Sequence, residues 1–321
     1  MLARYKGLVA LWLAVASSLA VGCGWEDTIE KVVSARKSDS CPATTPATTR
    51  GGDTLRVASF NIQVFGTSKA SKPEVMGTLA QVIRRFDVVA IQEVRAKDQS
   101  LIPDFVRLVN ADGSQYHSVV GPRLGRTSSK EQYAFLYDST RLKLDENSVY
   151  TVTDPQDLLH REPLVASFRT TGNDGRRPFS FTLVNIHTDP DETDTELDAL
   201  AEVFTRVQRG AAEDDVILLG DLNVDEYHLG LLGSLPGIRW AISGQMTNTR
   251  GTKSYDNLVF DGRTTREYTG NSGVLNLLTE YGLTMDQALD VSDHLPVWAE
   301  FSIYETEQGG PIATRQDGTV R

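Results

Sequence analysis

The sequence predicts an α/β domain of two mixed β-sheets packed face to face with helices outside, a four-layer α/β/β/α sandwich. Three observations predict it. Apolar runs rich in Val, Ile, Phe and Tyr recur from Leu55 to the end of the body. Helix-period stretches fall between several of them, and no sequence unit repeats at a fixed period, which disfavours a solenoid or propeller. With 321 residues, 40% hydrophobic and 23% charged, the chain is long enough for one large core plus an N-terminal extension.

Along the chain, Arg4 and Lys6 precede an apolar run from Leu8 to Val15, and small residues follow to Gly22-Cys23. This is the plan of a secretory signal, and its apolar run is too short for a membrane-spanning helix. Residues 1–22 are therefore expected to be a signal peptide. Ala20-Val21-Gly22-Cys23 resembles a bacterial lipobox, with Ala20 where Leu is usual, so Cys23 is a candidate for lipidation. Release without lipid, or a Cys23–Cys41 disulfide, are the alternatives. Residues 23–53 are rich in Thr, Pro, Ser and Gly and read as a flexible tether. The expected location is outside the cytoplasm, as a membrane-anchored lipoprotein or a secreted protein.

The body, residues 54–304, contains strand-like runs in LRVASFN, FDVVAIQE, YAFLYD, LVASF, FSFTLVNIH, DVILLGDLN, YDNLVF and LPVWAEFSI. Helical periodicity marks Pro73 to Phe86, Leu101 to Asn110 and Glu192 to Arg209, the last with Leu197, Leu200, Ala201, Phe204 and Val207 on one face. Residues 305–321 form a polar tail, expected to be disordered. The net charge of −11 argues against a broadly basic nucleic-acid-binding face, yet a cleft holding cations needs favourable potential only locally.

Polar residues collect at strand ends: Asn61, Glu93, Glu131, His187, Asp221, Asn223 and the Asp293-His294 pair. One carboxylate after a strand is ordinarily a turn residue, but six apolar runs each bounded by a carboxylate, amide or imidazole point to chemistry. Hydrolysis of a phosphodiester requires an activated water, charge stabilisation at the phosphoryl oxygens and a proton for the leaving oxygen. Hard oxygen donors suit Mg²⁺, Mn²⁺ or Ca²⁺, whereas a body without cysteine and with few histidines disfavours zinc.

The ordered strings SFNIQ, IQEVR, KEQYAFLYD, REPLV, NIHTDP, LLGDLN, KSYDNLV and SDHLPV resemble the endonuclease/exonuclease/phosphatase superfamily, and within it deoxyribonuclease I, from about Leu55 to Ile303. The resemblance implies a metal shell of Asn61, Glu93 and Asp293, with Asp221 and Asn223 facing the phosphate and a second cation. It pairs His187 with Glu131 and His294 with Asp256 as the proton-transfer groups, with either histidine as base and Asp221 as a further candidate. Arg95 is placed in the DNA minor groove, Arg161 on a phosphate, and Tyr255 as a phosphate donor or a packing residue.

Several positions depart from the family. Ser129 stands where a groove-contacting tyrosine is usual, and Gln63 replaces an arginine, which removes contacts to duplex DNA. The family's cysteine pair maps onto Glu226 and Lys253, which suggests a salt bridge in its place. Structural calcium is suggested near Thr247 and Thr249, with Gln245 where a carboxylate is expected, and near Asp157 and Glu162. The expected activity is a Mg²⁺- or Mn²⁺-dependent DNA endonuclease, with Ca²⁺ as a further ion and a monomer as the working unit. A phospholipid or phosphoinositide head-group phosphoesterase with the same machinery, and a silent binding module, are the competing readings.

Overall fold

The computed structural model describes residues 52–172 and 174–306. The signal peptide, Cys23, Cys41 and nearly all of the tether and tail lie outside them. Twelve strands run in chain order as β1 Thr54–Phe65, β2 Val88–Val94, β3 Tyr116–Val120, β4 Gln132–Asp138, β5 Leu142–Thr151 and β6 Leu164–Thr170. They continue as β7 Ser180–His187, β8 Val216–Asp221, β9 Ile238–Trp240, β10 Asp256–Asp261, β11 Tyr268–Val274 and β12 Val297–Ser302. One sheet has the order β11-β12-β1-β2-β4-β3 and the other β5-β6-β7-β8-β10-β9. Each is mixed, with the parallel pairs β1·β2 and β7·β8 among antiparallel neighbours.

Side-chain alternation along each strand builds the layers. In β1, Val57 faces the opposite sheet while Ala58, Phe60 and Ile62 face outward under helices; in β8, Ile217 and Leu219 face inward while Val216 and Leu218 face outward. The inter-sheet core is aromatic, with Phe135, Phe168, Phe179, Phe181, Phe260 and Phe301 in contact with one another.

Among the described residues seven α-helices follow the same chain order: α1 Thr67–Ala70, α2 Pro73–Ile83, α3 Leu101–Val109, α4 Thr193–Gly210, α5 Gly230–Ser234, α6 Leu277–Tyr281 and α7 Met285–Val291. α2, α3 and α7 cover the first sheet and α4 the second, which gives the expected four layers. The three helices read from periodicity are present. The short α1, α5, α6 and α7, and strands β3, β5, β9 and β11, carry too few periodic apolar positions to stand out; β5, for instance, is mostly exposed.

Gly220, in the LLGDLN string, is required by close approach rather than by turn geometry. A Cβ there would stand 1.8 Å from the Ile186 carbonyl oxygen of the adjacent parallel strand. Gly220→Ala is expected to push β7 and β8 apart and to destabilise the fold by about 3 kcal/mol or more. Urea unfolding of the variant beside the wild type measures the loss.

Candidate active site

The inward alternation that makes the inter-sheet core also makes the site. Continuing the inward-facing positions toward one end of the sandwich reaches Asn61 on β1, His187 on β7, Asp221 on β8 and Asp256 on β10. Cross-strand register sets His187 and Asp256 on either side of Asp221. Beneath them lies a buried amide layer in which Gln92 donates to the Asn185 side-chain oxygen at 2.6 Å and to the Ser59 hydroxyl at 3.1 Å.

Asp221 is the centre. Its Oδ2 accepts from Asn61 Nδ2 at 2.9 Å and lies 3.5 Å from His187 Nε2 and 3.4 Å from His294 Nε2. Its Oδ1 accepts from the Asn223 amide at 3.0 Å, and Asn223 Nδ2 in turn donates to the Thr188 carbonyl at 2.8 Å. Each histidine is held from behind by its other ring nitrogen: His187 Nδ1 to Glu131 Oε1 at 2.8 Å, and His294 Nδ1 to Asp256 Oδ2 at 2.9 Å. The structure thus brings together both imidazole–carboxylate pairs expected from the sequence. A carboxylate behind an imidazole fixes its orientation and favours its charged form.

The two pairs differ electrically. Behind His187, burial would raise the Glu131 carboxyl, but His187, Arg161 and Arg95 hold it below its ordinary range. Behind His294, burial and then Asp221 raise the Asp256 carboxyl against the pull of His294. Burial also works against the charge on His294, yet Asp256, Asp221 and Asp293 overcome it and raise its pKa to about 11. Burial likewise opposes the charge on His187; Glu131 and Asp221 raise it, while Arg161 pulls it down. His187 therefore faces a cation that His294 lacks.

Asn61 lies within β1, four residues before its end, Glu93 is next to last in β2, and Asp293 lies between α7 and β12. Glu93 Oε1 accepts from Asn61 Nδ2 at 3.3 Å, and its Oε2 accepts from the Val64 amide at 2.9 Å. Strict alternation would turn Glu93 toward the helices with Val89 and Ile91; its φ of +61°, where the β1·β2 register breaks, accompanies its turn into the site. Val64 and Asn223, also at the site, share the left-handed region, with φ of +50° and +54°. Such backbone costs of order 1–3 kcal/mol per residue and collects at functional sites.

Two acceptors here are buried without a hydrogen-bond donor, Asn61 Oδ1 and Asp293 Oδ1. Unpartnered buried oxygens beside a glutamate are the donor set of a hard divalent cation, so the residues fit the expected metal shell. Gln63 donates its side-chain amide to Asp293 Oδ2 at 2.8 Å, so this departure from the family orients the carboxylate.

The predicted substrate contacts fall in different places. Arg95 is partly exposed and bridges Glu93 Oε2 at 2.9 Å and the Ser129 hydroxyl at 2.9 Å, at the mouth of the site. Tyr255 immediately precedes β10, and its ring lies 5.9 Å from that of His294. Arg161, expected on a phosphate, is 6% exposed; its Nε contacts Glu131 Oε1 at 3.0 Å, and Nε and Nη2 donate to the His187 and Thr188 carbonyls. The guanidinium is taken up by holding the His187 pair from below.

One expectation is corrected. Glu226 makes no ion pair with Lys253 among the described residues; it is buried and accepts from the Ser243 hydroxyl at 2.9 Å and the Gly244 amide at 2.7 Å. Near the expected calcium position, the Thr247 hydroxyl donates to Asp256 Oδ2 at 2.6 Å and that of Thr249 to the Ser292 carbonyl at 2.7 Å, while Gln245 is exposed. Asp157 pairs with Arg126 at 3.0 Å rather than joining Glu162.

Sequence reasoning missed Tyr133, Ser292 and Lys69. The Tyr133 hydroxyl accepts from the His187 amide at 3.0 Å, and Ser292 Oγ donates to the Asn61 carbonyl at 2.7 Å. Both lie inside the quoted strings, two residues after Glu131 and one before Asp293, but buried hydroxyls have no pattern of their own. Lys69 donates to the Val291 carbonyl at 2.7 Å; burial lowers its pKa to about 8 against the pull of Asp293 and Glu93.

The family model described as "Endonuclease/Exonuclease/phosphatase family" matches residues 58–294. The chain belongs to that family. It is 36% identical over 264 residues to deoxyribonuclease-1-like 1 of Sus scrofa, covering 78% of this chain and 82% of that protein. It is 34% identical over 275 residues to deoxyribonuclease-1-like 1 of Homo sapiens, covering 82% and 89%. Within the family it is thus a deoxyribonuclease I-like member, with the phosphodiester-hydrolysing chemistry of a nuclease. The crystal structure of humanized D. rerio TDP2 shares the fold, with a TM-score of 0.56 at 16% identity over 78% of this chain and 99% of that one.

Arg161→Met is expected to leave Glu131 buried without its closest guanidinium, to destabilise the fold by about 3–5 kcal/mol and to lower the hydrolytic rate. Arg161→Lys is expected to recover only part of both, because an ammonium cannot serve the carboxylate and two carbonyls together. Chemical denaturation and rates of the two variants give the comparison.

Proposed function

We propose that the chain is an exported, divalent-metal-dependent endonuclease that hydrolyses the phosphodiester bonds of DNA. The observation that carries this reading is Asp221 Oδ2 lying within 3.5 Å of both His187 Nε2 and His294 Nε2, each ring backed by its own carboxylate. Two oriented imidazoles on one carboxylate can complete both proton transfers of a displacement at phosphorus. The relatives named deoxyribonuclease support DNA as the substrate.

One imidazole takes a proton from water while the water oxygen forms its bond to phosphorus. The other gives a proton to the departing ester oxygen as the old P–O bond breaks. Asp221 orients the two rings, and Glu131 and Asp256 stabilise whichever imidazole carries the charge. Asn61, Glu93 and Asp293 would hold a Mg²⁺ or Mn²⁺ ion, with Asp221 and Asn223 beside it, and that ion supplies charge stabilisation at the phosphoryl oxygens. Arg95 would enter the minor groove and Tyr255 would donate its hydroxyl to a phosphate.

The lipobox-like Ala20-Val21-Gly22-Cys23 supports export and attachment through lipid on Cys23, with the segment up to the body as a spacer.

Supercoiled plasmid incubated with the folded protein in Mg²⁺ plus Ca²⁺ is expected to be nicked and then linearised. EDTA is expected to stop the reaction, and His187→Ala or His294→Ala to slow it by about 100-fold or more. Intact plasmid beside hydrolysed phospholipid in a parallel assay would transfer the site to a different ester. In a bacterial host, Cys23→Ser is expected to move the protein from the membrane fraction to the soluble one; an unchanged distribution refutes the anchor.

A further inference from the structure

At the end of β8 remote from Asp221, a second group of carboxylates has no role in the chemistry above. Asp215 immediately precedes β8, Glu267 immediately precedes β11, and Glu305 follows β12. Six residues of strand separate Asp215 from Asp221, about 20 Å. One carboxylate oxygen from each of Asp215, Glu267 and Glu305 lies within 4.8 Å of the others. Asp215 and Glu267 are each 4% exposed, and Glu305 is half-buried.

Like charges this close in a buried place repel strongly unless something positive or a shared proton lies among them. Among the described residues no Lys or Arg pairs with any of the three. Of the four guanidiniums lining the adjoining cleft of about 830 Å³, Arg177 pairs with Glu213 at 2.8 Å while its charge also reaches Glu305, Arg263 pairs with Asp261, Arg176 with Asp53 and Asp174, and Arg266 donates to the Arg263 carbonyl at 3.2 Å.

A second observation lies outside the carboxylates. The Thr265 hydroxyl, 1% exposed, lies against the Asp215 carboxyl, and Asp215 Oδ1 and Glu267 Oε2 are buried and unpartnered. Two other oxygens of the group are committed: Glu267 Oε1 accepts from the Thr306 amide at 2.6 Å and Glu305 Oε1 from the Ser180 amide at 3.0 Å. Those bonds fix the carboxylates on the chain and leave free oxygens for a ligand.

We propose that Asp215, Glu267, Glu305 and the Thr265 hydroxyl form a structural divalent-cation site that ties the start of β8 to the chain around β11 and after β12. An all-oxygen set with three acidic ligands and an opening to solvent for water ligands suits Ca²⁺ over softer metals. The ion joins the second sheet, through β8, to the first, through β11 and β12, at the end of the sandwich away from the catalytic groups. The proposal does not depend on the nuclease reading.

The test is calcium titration by calorimetry of the chelator-stripped full chain, beside Asp215→Asn and Glu305→Gln, with melting temperatures in Ca²⁺ and in EDTA. The second variant changes a half-buried group and serves if the first does not fold. Each variant is expected to bind one calcium equivalent fewer than the wild type, to lose most of the wild-type gain in melting temperature on adding Ca²⁺, and to nick plasmid in saturating Mg²⁺ within about twofold of wild type. If a folded variant binds as many equivalents as the wild type, or keeps the full calcium-dependent gain, the three carboxylates share protons and the site is refuted.

Discussion

The catalytic end of this molecule depends on Asp221, and Asp221 depends on the alternation of β8. The inward positions of β8 that supply Ile217 and Leu219 to the aromatic inter-sheet core supply Asp221 one step further on. Asn61, His187 and Asp256 reach it by the same rule on their own strands. The core and the site are therefore one surface, apolar in the middle and polar at one end, with Gln92, Asn185 and Ser59 as the transition. A slip of one residue in any of these strands would turn its polar group out toward the helices. The close contact of Gly220 with the Ile186 carbonyl reflects how tightly β7 and β8 must lie for His187 to meet Asp221.

Polar groups that are expensive to bury hold the site in shape. Glu131 is only 1% exposed, yet Arg161 and His187 Nδ1 both lie against its Oε1. Asp256 has no guanidinium partner and is steadied by the Thr247 hydroxyl instead. The two histidines share a carboxylate at Nε2 but feel different fields at Nδ1, and this inequality allows two like residues to take opposite parts in proton transfer. The strained backbone at Val64, Glu93 and Asn223 lies at the same end, where hydrogen bonds from Asn61, Gln63 and Ser292 hold the loops in place.

The long buried strands and the three amphipathic helices were legible because burial writes a period of two or of about 3.6 into the residues. The dyads were legible only through resemblance: no spacing rule connects Glu131 with His187 or Asp256 with His294. Short or exposed elements such as β5, β9 and α5 left little trace, since few of their side chains are buried. The part taken by Glu226 was misjudged, and the buried partners of Arg161 and Thr247 were not foreseen, for a related reason. An arginine, glutamate or threonine reads the same in a sequence whether it meets substrate, solvent or a buried partner, and only packing decides which.

The sequence by itself determined the layered α/β class, the strands that carry the chemistry and the residue types at their ends, because these follow from local periodicity and ordered strings. Tertiary structure alone decided that Arg161 is buried against Glu131, and that Glu93 turns into the site through a left-handed residue. It alone brought together Asp215, Glu267 and Glu305 from strands remote in the chain. Such relations are distances between residues set by strand register and sheet packing, and a single chain of letters encodes them only through the folding of the whole.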